Sequence, residues 1–555
     1  AKMKSTFRVK HFWFFAGFLL FLSALPVKSQ TTLTANDVRT IIAQAVSTAV
    51  ALNQKVTVSV TDREGNLLGT FIMTGAPTTT LIRSVGRADQ GLENFRVPST
   101  LAANSKAGTA GIFSTGGNAF TTRTAGFIIQ EHFPPGVDNQ PGGPLYGVQF
   151  STLLCSDVSI GGLPLGLSGD PGGMPLYKNG VAVGGVGVEG DGLYTVDRDP
   201  TDFDQPFEEV IATAAQKGFE PPTLIRADNI LVGGIRLPYA NISEVPQATP
   251  IAFASLPGFV IVPIVNTPAS DFVPSTLNGI QGQRSVRFPT VNGATITAAE
   301  TEKVLGDAAV IADITRAAIR QPISTNGRVT ISVVDINGKV TGVFRQLDAP
   351  VFGFDVSVQK ARTVAFFSRT DAAAKLQTAG FGNYVARANA DGLPLNGTIA
   401  FSDRGFGFLH RPFFPDGING AAEGPFSTAL ADWSPFNVGL QLDLIRDALV
   451  QPPLTCRSAA ISKRHMLNLA PPCPCTQVPG LANGIQIFAG ATPLYRGSTL
   501  IGAIGISGDG IDQDDFVSAA GANSLAPPDA IRSDKFFVRG VRLPFLKFPA
   551  RATLP

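Results

Sequence analysis

Apolar and hydroxyl side chains alternate in two similar stretches of the chain, at residues 56–69 and 329–342. The first stretch reads VTVSVTDREGNLLG and the second reads VTISVVDINGKVTG. Such alternation predicts a half-buried strand, and the Asp-x-x-Gly step predicts a hairpin turn after it. In that turn Asp62 and Asp335 would cap the bend, and a glycine three residues later would supply the positive φ. The repeat therefore predicts two copies of one domain.

A capped helix is predicted before each of these strands. Thr34 stands three residues before Asp37, and Thr297 stands three residues before Glu300. This spacing is typical of a capping box, and apolar residues follow both pairs at helical intervals.

A second helix is predicted in each copy at residues 105–114 and 359–368, which read SKAGTAGIFS and QKARTVAFFS. Its first turn would present a lysine and a threonine three residues apart, on one face of the helix. These residues are Lys106 with Thr109, and Lys360 with Thr363.

The next shared block covers residues 123–136 and 404–417, with an arginine, a Gly-Phe step and a Phe-Pro-x-Gly turn in each. We expect a strand that ends in a rigid loop, because proline and glycine are where such a turn needs them. His132 and His410 lie in this turn region.

A glycine-rich hairpin follows in each copy, at residues 174–188 and 492–506. The run lacks the Gly-Lys-Ser/Thr ending of a phosphate-binding loop. Its glycines are therefore better explained by close packing against the strand.

Acidic side chains are dense after each hairpin, and those of the second copy include Asp509, Asp512 and Asp514. Oxygen ligands at this density in an exported protein raise the hypothesis of a Ca²⁺ site. Acidic residues also favour a helix N-terminus, and neither segment has EF-hand spacing. Both interpretations stay open.

The domain boundaries follow from the repeat. Residues 30–243 form the first predicted domain and residues 291–555 the second, and residues 244–290 read as a Pro-, Ser- and Thr-rich linker. The second copy carries an insert at about residues 427–485. A loop of that length in one copy only is where a private contact or function is expected.

Residues 1–29 have the layout of a secretory signal peptide, with basic residues before a short apolar run. Without this leader the chain keeps 39 basic and 42 acidic side chains, a net charge of −3. We therefore expect a secreted protein, extracellular or periplasmic, with no later transmembrane segment and no nucleic-acid partner.

Four cysteines lie after the leader: Cys155, Cys456, Cys473 and Cys475. An oxidising compartment permits disulfides, but four cysteines allow three pairings and the sequence does not choose among them. A metal site built from the last three of these cysteines and His465 is the alternative, although Cys-Pro-Cys is not a standard zinc spacing.

The order of these blocks resembles the GlcG/HbpS haem-binding family, here in tandem. The resemblance rests on the capped helix, the V-T-V-S-V hairpin, the K-A-x-T helix and the Pro-Leu hairpin that ends in Gly-x-x-Gly-x-Gly. It implies an α+β fold of two profilin-like domains, each an antiparallel sheet with packed helices, and a tendency to oligomerise.

The resemblance also implies a haem site. A threonine of the second-helix region is implicated at the iron in this family, and the matching positions are Thr109 and Thr363. Lys106 and Lys360, with neighbouring arginines, would meet the propionates, and His132 and His410 are candidate axial ligands because histidine is a common one.

Two functions follow from the sequence. The first is a non-catalytic, exported carrier of haem or another tetrapyrrole. The second is an extracellular structural or assembly module without a cofactor, in which the two domains pair within one chain or the protein self-associates. No Ser/His/Asp order, H-E-x-x-H or paired-carboxylate motif can be assembled, so an enzyme is the least supported class.

Overall fold

The two doubled stretches form strands at the centres of two separate antiparallel sheets. The computed structural model describes residues 32–84, 90–159, 161–261, 264–265, 270–450 and 474–547. The proposed signal peptide, Cys456, His465 and Cys473 lie outside these ranges. We call residues 32–261 the first half and residues 264–547 the second half.

The helices begin in both halves with the predicted capping boxes. Thr34 and Asp37 exchange side-chain and backbone hydrogen bonds at the first helix, as do Thr297 and Glu300 at its counterpart, so both predicted caps are confirmed. The α-helices of the described residues are α1 (Ala35–Ala51), α2 (Ser99–Phe113), α3 (Thr122–Phe127), α4 (Phe207–Ala215), α5 (Ala298–Ile314), α6 (Gly353–Phe367), α7 (Ala372–Thr378), α8 (Gly382–Ala390), α9 (Asp403–Phe408), α10 (Leu440–Val450) and α11 (Ile511–Gly521).

The strands include the two predicted hairpins of each half. In chain order they are β1 (Thr57–Asp62), β2 (Leu67–Met73), β3 (Thr79–Ile82), β4 (Arg96–Pro98), β5 (Gly173–Lys178), β6 (Val181–Glu189), β7 (Leu193–Tyr194), β8 (Leu231–Val232), β9 (Ile235–Arg236), β10 (Gly258–Val260), β11 (Phe272–Leu277), β12 (Ile280–Ser285), β13 (Val329–Asp335), β14 (Val340–Gln346), β15 (Ala491–Arg496), β16 (Thr499–Gly508), β17 (Phe537–Val538) and β18 (Val541–Arg542).

The first large sheet has the strand order β10-β2-β1-β6-β5 and the second has the order β11-β12-β14-β13-β16-β15. Four strands follow the same order in both sheets, β2-β1-β6-β5 in the first and β14-β13-β16-β15 in the second. The register shifts at matching points, between Val60 and Thr61 in the first sheet and between Val333 and Val334 in the second. The structure is thus α+β with antiparallel sheets and packed helices, as expected.

The central strands are buried on both faces, so the expected half-buried strand is wrong. All of β13 is buried, and β1 is buried except at its last residue. The hydroxyl side chains that suggested a solvent face are instead satisfied inside: Ser59 Oγ donates to Asn104 Oδ1 at 2.6 Å, and Ser332 and Ser357 share a 2.7 Å hydrogen bond. Helix α2 or α6 covers this face.

Two further predictions need correction. Helices α2 and α6 begin six residues before the predicted segments, so the lysine and threonine lie in mid-helix and not in a first turn. The block at residues 123–136 begins as helix α3 and not as a strand, because Thr121 and Thr124 form a capping box there. The counterpart α9 begins at the Ser402 cap.

The stretch expected as a linker also contributes strands. Strand β10 adds to the edge of the first sheet beside β2, and the β11–β12 hairpin adds to the second sheet beside β14. Residues 244–290 are thus partly built into both sheets.

The halves are tied together by covalent and ionic links within one compact unit. Cys155 and Cys475 form a disulfide across a sequence separation of 320 residues. The Arg345 guanidinium binds Glu64, with Nη2 3.0 Å from Oε1, and Arg362 binds Asp157 at 2.7 Å. The disulfide removes the Cys475 thiolate that the alternative metal site required.

Candidate ligand-binding site

The first-half lysine predicted to meet a ligand is enclosed by carboxylates. Lys106 is fully buried in α2, and its Nζ lies 2.8 Å from Asp170, 3.0 Å from Glu189 and 2.6 Å from Glu208. Among the described residues, these three carboxylates are the group close enough to share a metal ion. The ammonium occupies the position between them that a cation would take, and it neutralises part of their charge.

Burial and charge oppose each other at this cluster. Burial alone would lower the pKa of Lys106, but the charges of Asp170, Glu189 and Glu208 outweigh it and raise that pKa well above its ordinary value. Burial raises the pKa of Glu208 to about 8, and it also raises the pKa values of Asp170 and Glu189. The lysine therefore stays charged at neutral pH, and the carboxylates around it bind protons more readily than exposed acids do.

The second-half lysine has a simpler environment. Lys360 Nζ lies 2.9 Å from Asp514 Oδ2 and 2.8 Å from the Ile506 carbonyl oxygen. It also lies 4.3 Å from the centre of the Phe488 ring, a cation–π contact. One carboxylate and one aromatic ring thus replace the three carboxylates around Lys106.

The two predicted threonines fasten a loop to their helix. Thr109 Oγ1 donates to the Ser105 carbonyl and accepts from the Ser168 backbone N–H, both at 2.7 Å. Thr363 repeats this with the Gln359 carbonyl at 2.7 Å and the Gln486 N–H at 2.9 Å. Both side chains are fully buried, and a role of either one at iron stays a prediction.

The two predicted histidines are buried among aromatic rings. The His132 ring stacks on Phe413 at 5.0 Å, and its Nδ1 lies 2.6 Å from the Gln140 carbonyl oxygen. The His410 ring contacts Phe406 and Phe426, and burial lowers its pKa to about 3. His410 is therefore neutral at physiological pH.

The candidate Ca²⁺ ligands point to different partners. Asp509 binds Arg320 at 2.6 Å, Asp512 binds Arg404 at 2.8 Å, and Asp514 binds Lys360. The structure does not bring the three carboxylates together, and it gives the Ca²⁺ hypothesis no support.

Asp403 is a buried acid that the sequence did not single out. It is fully buried at the start of α9, and neither carboxylate oxygen has a hydrogen-bond partner among the described residues. Burial raises its pKa well above the ordinary value, which the nearby Lys360 charge only partly offsets. By its position one residue before the shared arginine, its counterpart is Thr122, which accepts a 3.0 Å hydrogen bond from the Gly173 N–H.

Replacing Asp403 with asparagine should therefore stabilise the protein at high pH. A carboxyl with a raised folded-state pKa contributes fully below its unfolded pKa and loses that contribution as pH rises towards the folded pKa. We expect Asp403→Asn to gain about 1–2 kcal/mol at pH 8 and to lose this advantage at pH 4, measured by urea unfolding. Glu244→Gln, the same kind of change at an exposed acid, is the control. A gain in stability for Asp403→Asn that does not depend on pH would contradict a raised pKa for Asp403.

A cavity with a volume of about 820 Å³ opens between the two halves. We call it the seam cavity. Its first-half wall includes the apolar side chains of Phe113, Phe120, Ile128, Phe133, Leu145 and Leu237, and its second-half wall those of Ile319, Phe352, Phe408, Ile487, Phe488 and Ile511. The charged side chains at the cavity are Arg316, Arg404, Arg411, Lys547, Asp416 and Asp512. Its size and apolar walls are typical of small-molecule sites.

Arg411 is the most unusual of these charged groups. It is only 9% exposed, and its Cζ lies 4.1 Å from the centre of the Tyr146 ring. Its Nε is 3.6 Å from Asp416 Oδ2, too far for a hydrogen bond, and its Nη1 has no hydrogen-bond partner among the described residues. Buried donors without partners are costly, so this guanidinium is poised to bind an added acceptor.

The described residues of the second-half insert pack on the first half. Trp433 Nε1 donates to the Tyr146 hydroxyl at 2.6 Å, and the Leu92 N–H donates to the Phe436 carbonyl at 2.9 Å. Gln441 Nε2 donates to the Gly147 carbonyl at 2.9 Å. These described residues of the insert thus form contacts inside the chain.

The first half has a small cavity at the position that corresponds to part of the seam cavity in the second half. It measures about 290 Å³ and is lined by Arg123, Phe127 and Pro238, the counterparts of Arg404, Phe408 and Pro544 at the seam cavity. Arg123 is held there by Asp197, Asp204 and Glu209. The two halves therefore differ at this position: the second-half residues line the larger seam cavity and the first-half residues line the smaller one.

Sequence reasoning placed the site on α2 and α6 and missed the seam cavity. Phe133 and Arg411 line it and are the direct neighbours of the predicted His132 and His410. A cavity assembled from both halves has no signal in either copy alone. The sequence features that lie at this cavity are the arginine-containing block and the Pro-Gly-Gly-Pro run at residues 141–144.

The chain is similar to several solved structures over 35% of its length. PduOC in complex with haem is 22% identical and is covered over 99% of its own chain, with a TM-score of 0.22. The Klebsiella pneumoniae protein ORFY is 20% identical and covered over 96%, with a TM-score of 0.22. A double mutant of HbpS from Streptomyces reticuli is 21% identical and covered over 90%, with a TM-score of 0.20. At such TM-scores the superposition is too loose to transfer a binding site.

No protein-family model matches the chain. No curated protein matches it either. Within the described residues, none of the helices has both the length and the apolar character needed to cross a bilayer.

Proposed function

We propose that this protein is a non-catalytic binding protein for a tetrapyrrole such as haem, and that the ligand occupies the seam cavity. The observation that carries the proposal is a space of about 820 Å³ whose apolar walls include six phenylalanines, together with a buried arginine whose Nη1 lacks a hydrogen-bond partner among the described residues. A macrocycle with acidic side chains needs both features. The proposal includes a tandem origin of the halves, supported by the common order of four strands in each sheet and by the matching register shifts.

The cavity fits the macrocycle and propionates of haem better than its iron. Flat apolar faces would pack on the phenylalanine side chains, and propionates would meet the arginines. No histidine, cysteine, methionine or tyrosine is among the described residues that line the cavity. These are the usual protein ligands of haem iron, so the wall offers no ordinary axial ligand. Iron would supply the bound pigment's ligand and redox chemistry, to which no residue here is assigned.

Export is part of the proposal. The Cys155–Cys475 disulfide is favoured in an oxidising compartment, which agrees with the leader predicted from the sequence. A secreted protein that carries a hydrophobic pigment would need to shield it from water, as a cavity between two halves does.

Haemin added to the purified protein should give a saturable Soret shift with about one equivalent bound, since one seam cavity is present in the described structure. The variant Ala318→Trp, which fills space at the cavity wall, should weaken the binding at least tenfold, a change of about 1.4 kcal/mol. Ala51→Trp, at an exposed position, is the matched control. No saturable shift at micromolar haemin, or equal binding by both variants, would contradict the proposal.

An assembly module without a cofactor is the second candidate. The disulfide and the ion pairs of Arg345 and Arg362 support it, because these contacts join the two halves. Light scattering of the purified protein tests it: a defined oligomer supports an assembly role, and a strict monomer contradicts it.

A further inference from the structure

We propose that the seam cavity recognises the macrocycle and its carboxylates and not the metal, so that an iron-free dicarboxylate porphyrin binds as well as haem does. The inference deepens the proposed function and rests on it. It concerns the chemical class of the ligand: a flat, apolar dianion.

The charges at the cavity favour a dianion. Four basic and two acidic side chains line it, which leaves two positive charges in excess. All six belong to the second half, whereas the first-half side chains that line the cavity are apolar or glycine. A ligand with two carboxylates on one edge would therefore bind in one orientation, with its acidic edge towards the second half.

The basic side chains at the cavity differ in whether an acidic side chain of the protein already forms an ion pair with them. Arg404 is already bound by Asp512 and Asp515, and Lys547 by Asp512. Arg411 has an acid only at 3.6 Å, and Arg316 has no ion pair with a described residue. Arg411 is thus the buried group with donor capacity left for a ligand carboxylate.

The position of Arg411 is fixed before any ligand arrives. Its guanidinium lies over Tyr146, whose hydroxyl accepts the Trp433 N–H, and Asp416 also accepts from the Gly142 N–H at 3.2 Å. Little side-chain entropy is lost when a pre-positioned guanidinium binds a carboxylate, and such charge-assisted hydrogen bonds are among the strong ones.

The iron has no comparable partner. The described lining lacks every usual axial side chain, and the two predicted threonines and two predicted histidines are not part of it. Removing the metal should therefore leave the affinity nearly unchanged, while removing the carboxyl charges should weaken it.

The test compares three probes on the full chain: haemin, protoporphyrin IX and protoporphyrin IX dimethyl ester. We expect Kd values for the two acids within about threefold of each other, and a Kd for the ester at least tenfold weaker, since the ester lacks the charge that makes these hydrogen bonds strong. Arg411→Gln should weaken the two acids about tenfold or more and leave the ester unchanged. The exposed Arg39→Gln should change none of them.

The outcomes separate the two proposals. If haemin binds and protoporphyrin IX binds more than thirtyfold weaker, iron is recognised and this inference fails while the proposed function stands. If the ester binds as tightly as the acids, recognition of the carboxylates is wrong. If none of the three binds, the proposed function itself fails. The ester comparison needs no variant and so does not depend on how Arg411→Gln folds.

Discussion

Lys106→Met is expected to lower the free energy of unfolding by about 3–5 kcal/mol at pH 8, because it leaves three buried carboxylates without their cation. Lys106 Nζ lies within 3.0 Å of Asp170, Glu189 and Glu208. Without the ammonium their folded-state pKa values rise further, and they can be accommodated only as neutral acids. The loss should therefore be smaller at pH 5 than at pH 8, as measured by urea unfolding.

Lys360→Met is the matched control for this prediction. The same position in the second half has one carboxylate in direct contact, Asp514, whose pKa burial already raises to about 7. One ion-paired acid loses its cation instead of three, so we expect a clearly smaller loss than for Lys106→Met. Equal losses in the two variants, or a Lys106→Met loss that does not depend on pH, would show that the carboxylate cluster does not act as described.

Gly185→Val is expected to lower the free energy of unfolding by about 3 kcal/mol or more. Overpacking of a core usually costs about 1–3 kcal/mol, and here the added side chain would collide with backbone atoms. A Cβ on Gly185 would lie 2.1 Å from the Ala107 carbonyl oxygen and 2.8 Å from the Gly111 nitrogen of α2. These atoms cannot rotate away as a side chain could. Thermal unfolding should show the loss as a lowered Tm.

Val181→Ile on the same strand is the control. Val181 is 41% exposed, so an added methyl group there can point towards solvent, and we expect almost no change in Tm. A Gly185→Val protein as stable as this control would mean that α2 does not pack as closely on β6 as the structure has it. The interpretation of the glycine-rich hairpin as a packing surface would then be wrong.

Local patterns predicted the local parts of the fold. The capping boxes at Thr34 and Thr297 form, and the turn acid Asp62 accepts from the Glu64 and Asn66 N–H groups, each at 2.9 Å. Asp335 does the same with Asn337 and Lys339. These features depend on a few neighbouring residues, so one sequence suffices to identify them.

Features that depend on distant residues were harder to predict. The hydroxyl side chains of β1 suggested a solvent face, because nothing in the strand shows that Asn104 of α2 satisfies Ser59. Lys106 suggested a ligand contact, because its partners Asp170, Glu189 and Glu208 lie 64 to 102 residues further along the chain. The cavity joins two halves, and no pattern within one copy describes that junction.

The most direct test of a ligand site in the seam is a crystal structure of the protein with protoporphyrin IX. The account predicts the macrocycle between the apolar side chains of the two halves, with a carboxylate within hydrogen-bond distance of the Arg411 guanidinium. A macrocycle seated elsewhere, for example against α2 beside Thr109 with the seam cavity empty, would contradict it.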